Sequence, residues 1–219
     1  MKGGSTTINR MGDVLFALRE AKRKRLHPTK IQLQKFVYLV DVLSHLVGYF
    51  KPREGHKTYK RGPYDQAIQN AVDCLAFRGF VKISGVWETP SGDLAARYAI
   101  SDNGHLLLTA ISEQPAFRDK SRLVELVGTQ IAKFGWNRIV ALVYAEPTYV
   151  GVGPSKWGIQ LRPENGLEVS SALLIAVMRE VVRSLREGLE PEDEWLVERF
   201  FEFLNDYDLH YGRSGDMQL

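Results

Sequence analysis

The residue types that most often bind metals or act as nucleophiles are few in this chain and widely separated. No two of the five histidines have the His-x-x-x-His spacing of a helical metal site. They are His27, His45, His56, His105 and His210. The single cysteine, Cys74, excludes a disulfide or a multi-cysteine metal site within this sequence, and we expect it to be a buried, unreactive thiol. The sequence therefore predicts no metal and no cofactor.

Two further patterns resemble catalytic motifs but have simpler explanations. Glu198 and Glu202 lie one helical turn apart, which suits acid–base chemistry, yet the charged outer side of a helix explains them better. The segment GVGPSK, residues 151–156, lacks the Gly-Lys-Ser/Thr ending of a phosphate-binding loop and does not follow a predicted strand. Because no nucleophile–base, metal or cofactor spacing is present, we expect a protein that is not an enzyme.

Basic side chains are the strongest candidates for binding. The first basic group lies at the end of a predicted helix and consists of Arg19, Lys22, Arg23, Lys24 and Arg25, with Lys30 beyond it. Such a group can neutralise the phosphates of DNA or RNA, or it can contact an acidic protein surface. The alternative is a solvated helix end whose cations are favoured by the helix dipole.

A second basic group surrounds Tyr59 in a predicted loop. Its members are Lys51, Arg53, His56, Lys57, Lys60 and Arg61. Mixed cations and aromatic rings can bind a nucleic-acid backbone or an acidic protein surface, and a merely solvated loop is the alternative. Lys57, Lys60 and Arg61 are the candidate binding residues of this group.

Candidate contacts to a protein partner lie in the second half of the chain. Tyr149 and Trp157 fall in a proline-bearing loop, predicted over 147–165, and are of the types enriched in interface hot spots. They can instead anchor that loop to the core. Residues 180–208 hold ten acids and three arginines, so the last predicted helix, with Glu198 and Glu202, offers an acidic surface.

Apolar spacing predicts the elements that position these residues. A helix over Thr7–Leu26 has Val14, Leu15, Leu18 and Ala21 on its inner side. A second helix begins at Pro28, is apolar nearly all round, and ends at Gly48, so we expect it to be the central, buried helix.

A third helix is predicted to open at Gly62-Pro63 and to stop at Gly79. Strands over 80–83 and 97–100 follow, with a turn-rich tip at 85–93, and Ser101 caps a helix over 102–111. This order is that of a winged helix-turn-helix. The exposed side of the third helix offers Gln, Asn and Arg for base contacts, but two aspartates there would repel phosphates.

The second half is predicted to be helical over 121–134, 137–146, 167–185 and 192–209, with an interruption at Gly135-Trp136. The sequence therefore predicts a mainly α fold with a small β-hairpin. We expect a winged-helix-like domain over 5–112 that packs against a helical extension over 119–210.

Residues 30–105 also resemble a recurring bacterial pattern. The matching residues, in IQLQKFVYLVD and YKRGPYDQAIQNAVDCLAFRGFVKI, are Gln34, Lys35, Tyr38, Gly62, Pro63, Tyr64 and Gly79. The pattern is similar to that of YwgA-like proteins, of SocA-like or Panacea antitoxins, and of small middle subunits of phage-defence operons. The resemblance implies a non-enzymatic, partner-binding protein of a defence or toxin–antitoxin system.

No apolar run approaches the roughly 18 residues of a transmembrane span, and residues 1–10 lack the apolar region of a secretory signal. We therefore expect a cytoplasmic protein with no membrane partner. Together with the resemblance, this predicts an accessory or regulatory subunit of a multi-subunit complex. Whether it also contacts the backbone of DNA or RNA stays open. The alternative is a dimeric winged-helix transcription regulator that binds DNA.

Overall fold

The computed structural model describes residues 3–47, 55–113, 115–153, 156–161, 170–185 and 191–211. Several predicted features lie outside the described residues. These are the helix end at Gly48, the basic residues Lys51 and Arg53, the middle of the GVGPSK segment, and the helix start at Leu167. The side chain of His45 is also outside them, although its backbone belongs to a helix.

The described part of the chain forms nine α-helices and one antiparallel β-hairpin, so the predicted mainly α fold with a small hairpin is confirmed. In chain order the elements are α1 (Gly3–Arg23), α2 (Lys30–Val47), α3 (Gln66–Phe77), β1 (Val81–Glu88), β2 (Leu94–Ile100), α4 (Asp102–Ser112), α5 (Pro115–Phe134), α6 (Trp136–Tyr144), α7 (Pro147–Val152), α8 (Ser171–Leu185) and α9 (Asp193–Tyr211). None of these helices, within the described residues, is long and apolar enough to cross a bilayer.

Helix α2 lies at the centre of the molecule, as its sequence predicts. It contacts α1, α3, α5, α6, α8 and α9. Apolar residues all round the helix, including Phe36, Leu39, Val42 and Leu43, are fully or almost fully buried. Ile31, 37% exposed, is the exception among the described apolar side chains of α2, because it lies at the first turn of the helix. Burial of this many aliphatic and aromatic side chains is the main favourable contribution to folding.

Helix α3 begins at Gln66, four residues after the predicted start at Gly62. The Asp65 side chain accepts a hydrogen bond from the backbone N–H of Ala67 and so caps the helix. The residues before it are held in other ways, because Tyr64 pairs through its backbone with Lys57 and Gly62 adopts a left-handed φ of 81°. The Gly-Pro step is therefore a turn that precedes the helix.

The hairpin is longer than the sequence predicts. Strand β1 pairs with β2 from Val81–Ile100 to Glu88–Leu94, with a bulge between Ser84 and Val86. The turn is confined to 89–93, where Gly92 donates to the carbonyl of Thr89. Gly85, predicted to begin the tip, lies instead in the bulge at a left-handed φ of 68°.

The second half of the chain follows the prediction with shifted ends. Helix α5 begins at Pro115, six residues early, and Gly135 separates it from α6 at a φ of 79°. The predicted loop over 147–165 begins with a helix, α7, because Glu146 caps the backbone N–H groups of Thr148 and Tyr149. Residues from both halves share one apolar cluster, and the division into domains 5–112 and 119–210 stays a prediction.

Two helical glycines provide a matched test of this packing. A Cβ on Gly104 would lie 2.8 Å from Ile100 Cγ1 and closer still to the carbonyl oxygen of Phe80. A Cβ on Gly12 would lie 3.5 Å from Phe117, an ordinary contact. We expect Gly104→Ala to lower the free energy of unfolding by about 1–3 kcal/mol. Gly12→Ala should be neutral or add up to about 1 kcal/mol. Urea denaturation checks both, and equal effects would contradict the packing around α4.

Candidate functional site

A cluster of charged side chains lies in the interior where α1, α2, α3 and α5 meet. Arg10 of α1 is 0% exposed, and its guanidinium contacts three carboxylates. Its Nη1 lies 3.0 Å from Asp13 and 2.6 Å from Asp41, and its Nε lies 2.8 Å from Asp65. Three elements, α1, α2 and the N-cap of α3, are thus joined through one side chain.

Two more residues complete this group, which we call the Arg10 cluster: Arg10, Asp13, Asp41, His56, Asp65 and Lys120. Lys120 of α5 donates to Asp13, and His56 Nε2 lies 3.1 Å from Asp41 Oδ2. With a neutral imidazole the cluster holds two cations and three carboxylates. Buried ions are costly unless each has partners, so removing one partner should be strongly destabilising.

The charges of the cluster control its protonation. Burial alone would raise the pKa of Asp41, but Arg10 and then His56 outweigh it and lower that pKa to about 2. Burial also lowers the pKa of Arg10, yet Asp41, Asp13 and Asp65 together raise it above its ordinary value. For His56, burial lowers the pKa below its ordinary value, and Arg10 adds to this effect although Asp41 opposes it.

The same interior also fixes the backbone of residues 55–65. Gln34 of α2 exchanges two hydrogen bonds with the backbone of Asp65, at 2.9 and 3.0 Å. Lys35 donates to the carbonyls of Arg61 and Pro63, and burial lowers its pKa to about 7. The residues that carry the family resemblance, Gln34-Lys35 on one side and Gly62-Pro63 on the other, are therefore in contact.

Backbone hydrogen bonds then join this segment to residues 156–161. Lys57 and Tyr64 exchange bonds of 2.8 and 2.9 Å. On its other side, Thr58 accepts from Gly158 and donates to Ile159, while Leu161 donates to His56. Residues 56–59 are thus the middle of a small three-segment arrangement.

Glu146 lies at the start of the helix that precedes residues 156–161. It accepts hydrogen bonds from Tyr38 of α2 and Ser171 of α8, and it caps α7, which immediately precedes residues 153–161. All three of these polar side chains are buried. The network fixes α7, which comes before the segment that carries Trp157.

The supported segments present an exposed surface of aromatic and basic side chains. We call it the aromatic–basic surface and define it as Lys57, Tyr59, Lys60, Arg61, Tyr64, Lys156, Trp157 and Ile159. Tyr59 and Trp157 are 49% and 57% exposed and their rings are 6.4 Å apart. The ring of Tyr64 is tilted by 32° against that of Tyr59, with the centroids 5.2 Å apart, and the Lys60 ammonium lies 5.4 Å from the centre of the Trp157 ring.

The charge of this surface is positive. Residues 56–64 and 156–161 contain four Lys or Arg and no acid. Arg61 is paired with Asp93 of the hairpin turn at 2.9 Å, whereas Lys57, Lys60 and Lys156 are exposed. The surface therefore combines rigid rings with cations and suits a ligand that offers carboxylates or phosphates beside apolar groups.

The first predicted basic group has nearby acids. Arg23 lies between Glu20 and Glu125, at 3.0 and 3.2 Å, and Lys24 lies 3.9 Å from Glu20. Arg19 is half-buried and donates to Ser121, and Lys22 contacts His105. Arg25 is exposed in a left-handed turn. The role of this basic group in binding stays a prediction, but the carboxylates of Glu20 and Glu125 partly neutralise its positive charge.

The exposed side of α3 is bonded within itself. Gln66 donates to Asn70, Gln69 donates to Asp73, and Asp73 pairs with Lys30. These amides would have to exchange partners before contacting a base edge.

Of four other predicted positions, two are buried and two lie on the outer side of α9. Tyr149 is 2% exposed and packs edge-on against Tyr144, so it anchors its segment to the core and is not a surface contact. His56, predicted in a solvated basic loop, is buried in the Arg10 cluster. Glu198 and Glu202 are partly exposed on α9, and Lys133 lies 2.7 and 3.6 Å from them.

No group of three or more His, Cys, Asp or Glu side chains capable of holding a metal occurs among the described residues. Comparison of the chain with protein-family models, with curated proteins and with solved structures finds no match.

The Arg10 cluster gives a direct stability prediction. Arg10→Met removes one partner from three buried carboxylates, and we expect it to lower the free energy of unfolding by about 3–5 kcal/mol. The matched variant is Arg61→Met, whose ion pair with Asp93 is exposed on both sides and should cost under about 1 kcal/mol. Chemical denaturation of both variants measures the difference. Equal losses would show that the buried cluster is not a stabilising connection.

His56 makes stability depend on pH. Its folded pKa lies below its unfolded value of about 6.5, so the unfolded chain binds the proton first as the pH falls. The free energy of unfolding should therefore decrease from neutral pH towards about pH 5, and less so in His56→Gln. Asp41 acts in a lower window, because its stabilisation is lost only below its unfolded pKa of about 3.9. Identical slopes above that window in the two proteins would contradict the assignment.

Proposed function

We propose that this chain is a non-enzymatic accessory or regulatory subunit that binds an acidic segment of a partner protein through the aromatic–basic surface. The observation that carries the proposal is the pair Tyr59 and Trp157, which are half exposed although their backbones are fixed from inside. Large rigid side chains that need no ordering on binding lose little entropy, which is the property of interface hot spots.

The polar interior supports the same conclusion. The charged groups of the Arg10 cluster are directed at one another. Lys35, the amine with the lowered pKa, is likewise directed at two carbonyls. The buried polar side chains therefore hold the backbone beneath the aromatic–basic surface. A protein that binds a partner through that surface requires such support.

The cytoplasmic setting in a bacterial defence or toxin–antitoxin system rests on the resemblance carried by Gln34, Lys35, Tyr38 and the Gly62-Pro63 step. In this chain Gln34 and Lys35 hydrogen-bond to the backbone of residues 61–65, so residues that carry the resemblance also hold the 55–65 segment in place. A dimeric winged-helix regulator that binds DNA is the alternative, since the order of α1, α2, α3 and the hairpin is that of a winged helix. The internally bonded amides of α3 favour the partner-binding function.

The test uses the purified protein products of the genes next to its own as probes, together with a labelled single strand and a labelled duplex of DNA. We expect one of the proteins to bind the full chain, and Trp157→Ala or Tyr59→Ala to weaken that binding by at least about tenfold, as for a hot spot. Phe77→Ala is the matched control, because this ring is 93% exposed but lies on α3.

Protein binding that is unchanged in Trp157→Ala and Tyr59→Ala would contradict the proposed surface. Tight, salt-dependent binding of the duplex with no protein partner would contradict the function and favour the regulator. Circular dichroism of each variant separates loss of binding from loss of fold.

A further inference from the structure

The outer half of the hairpin, residues 86–96, has little contact with the apolar core. At the base of the hairpin, Tyr98 and Ile100 are buried. Beyond the bulge, Val86 and Leu94 are 63% and 80% exposed. An element that buries few apolar side chains is among the first to open locally. The position of the outer half therefore depends on other contacts.

An ion pair joins this outer half to the aromatic–basic surface. Arg61 Nη2 lies 2.9 Å from Asp93 Oδ2 in the hairpin turn, and both side chains are more than half exposed. In the part of the chain that the structure describes, no other ion pair or side-chain hydrogen bond links residues 86–96 to residues outside the hairpin. Exposed ion pairs are weak, because water solvates both charges when they separate. Another carboxylate can therefore replace Asp93 at little cost.

Hydrogen bonds within the turn orient the Asp93 carboxylate for this pairing. Ser91 Oγ donates to the same oxygen at 3.0 Å, and the backbone N–H of Asp93 donates to Thr89 Oγ1 at 3.1 Å. Arg61 and then Ser91 lower the pKa of Asp93 below its ordinary value, so the side chain is an anion at neutral pH. On the other side of the contact, Lys35 holds the carbonyl of Arg61 from inside. A fixed carboxylate thus lies at the edge of a surface that suits acidic ligands.

We propose, on the basis of the proposed function, that Arg61 is the subsite of the aromatic–basic surface that binds a carboxylate of the partner, and that Asp93 occupies this subsite in the free protein. Guanidinium groups are well suited to carboxylates, because their N–H donors match the two carboxylate oxygens. Binding exchanges one carboxylate for another and releases the hairpin turn. Only molecules with a free Arg61 bind with full affinity, so Asp93 acts as an internal inhibitor.

Fluorescence anisotropy of a short labelled peptide of glutamates and leucines, added to the full chain, tests the exchange. We expect Asp93→Asn to tighten binding about two- to fivefold, which is the range that an exposed ion pair supplies. The matched control Glu88→Gln removes an equal charge from an exposed position of the same hairpin and should leave the affinity nearly unchanged. In a chain that carries Arg61→Met, Asp93→Asn should have no larger effect than Glu88→Gln, because the subsite is gone.

A spin label reports on the hairpin without any ligand. It is attached at Val86→Cys, on the strand opposite Asp93, after Cys74→Ser has removed the single natural cysteine. We expect Asp93→Asn to raise the mobility of the label, because the outer half loses its contact with Arg61. The peptide should have the same effect on the labelled chain that retains Asp93.

The outcomes separate this inference from the proposed function. Peptide binding that Trp157→Ala weakens but Asp93→Asn does not tighten would overturn the exchange and leave the proposed function standing. A tightening that persists with Arg61→Met, or a label whose mobility Asp93→Asn does not change, would also overturn it. A peptide that binds neither the unmodified chain nor Asp93→Asn would contradict the proposed function and the exchange together. Circular dichroism confirms that each variant is folded.

Discussion

The central constraint on this fold is that one fully buried guanidinium, Arg10, must be neutralised by carboxylates from three parts of the chain. Asp13 comes from the same helix, but Asp41 and Asp65 come from α2 and from the cap of α3. Because desolvated ions are costly when unpaired, none of these elements can move away without leaving a charge buried alone. The apolar core alone does not impose this, since hydrophobic burial is non-directional.

This constraint is transmitted outward to the surface. Asp65 ends the segment that begins at Gly55, where a Cβ would collide with the Asp65 carboxylate. Lys35 holds the carbonyls of the turn between, and His56 joins the cluster to the backbone of residues 158–161. Buried polar contacts therefore restrict the backbone that carries the exposed rings of Tyr59 and Trp157.

Most of the helices, although not α7, were predictable from the sequence because their apolar spacing is a local property. Helix α2 is the clearest case, and the cap at Ser101 was also found at the predicted position. The start of α3 was predicted too early, at the Gly-Pro step, although Asp65 is a typical N-cap residue. The Arg10 cluster was missed because it joins positions that are distant in the sequence, such as 10, 41, 56 and 65. Asp13 and Asp41, charges inside apolar runs, were available signals, because a buried carboxylate requires a partner.

Amide hydrogen exchange of Lys35→Met tests most directly whether the buried polar contacts hold residues 55–65. This variant removes the donor to Arg61 and Pro63 while keeping a side chain of similar length in the core. We expect the paired amides of Lys57 and Tyr64 to exchange faster, while those of α5 and α9 keep their protection. Unchanged exchange at both amides, or an equal loss of protection throughout the protein, would contradict this role of the buried contacts.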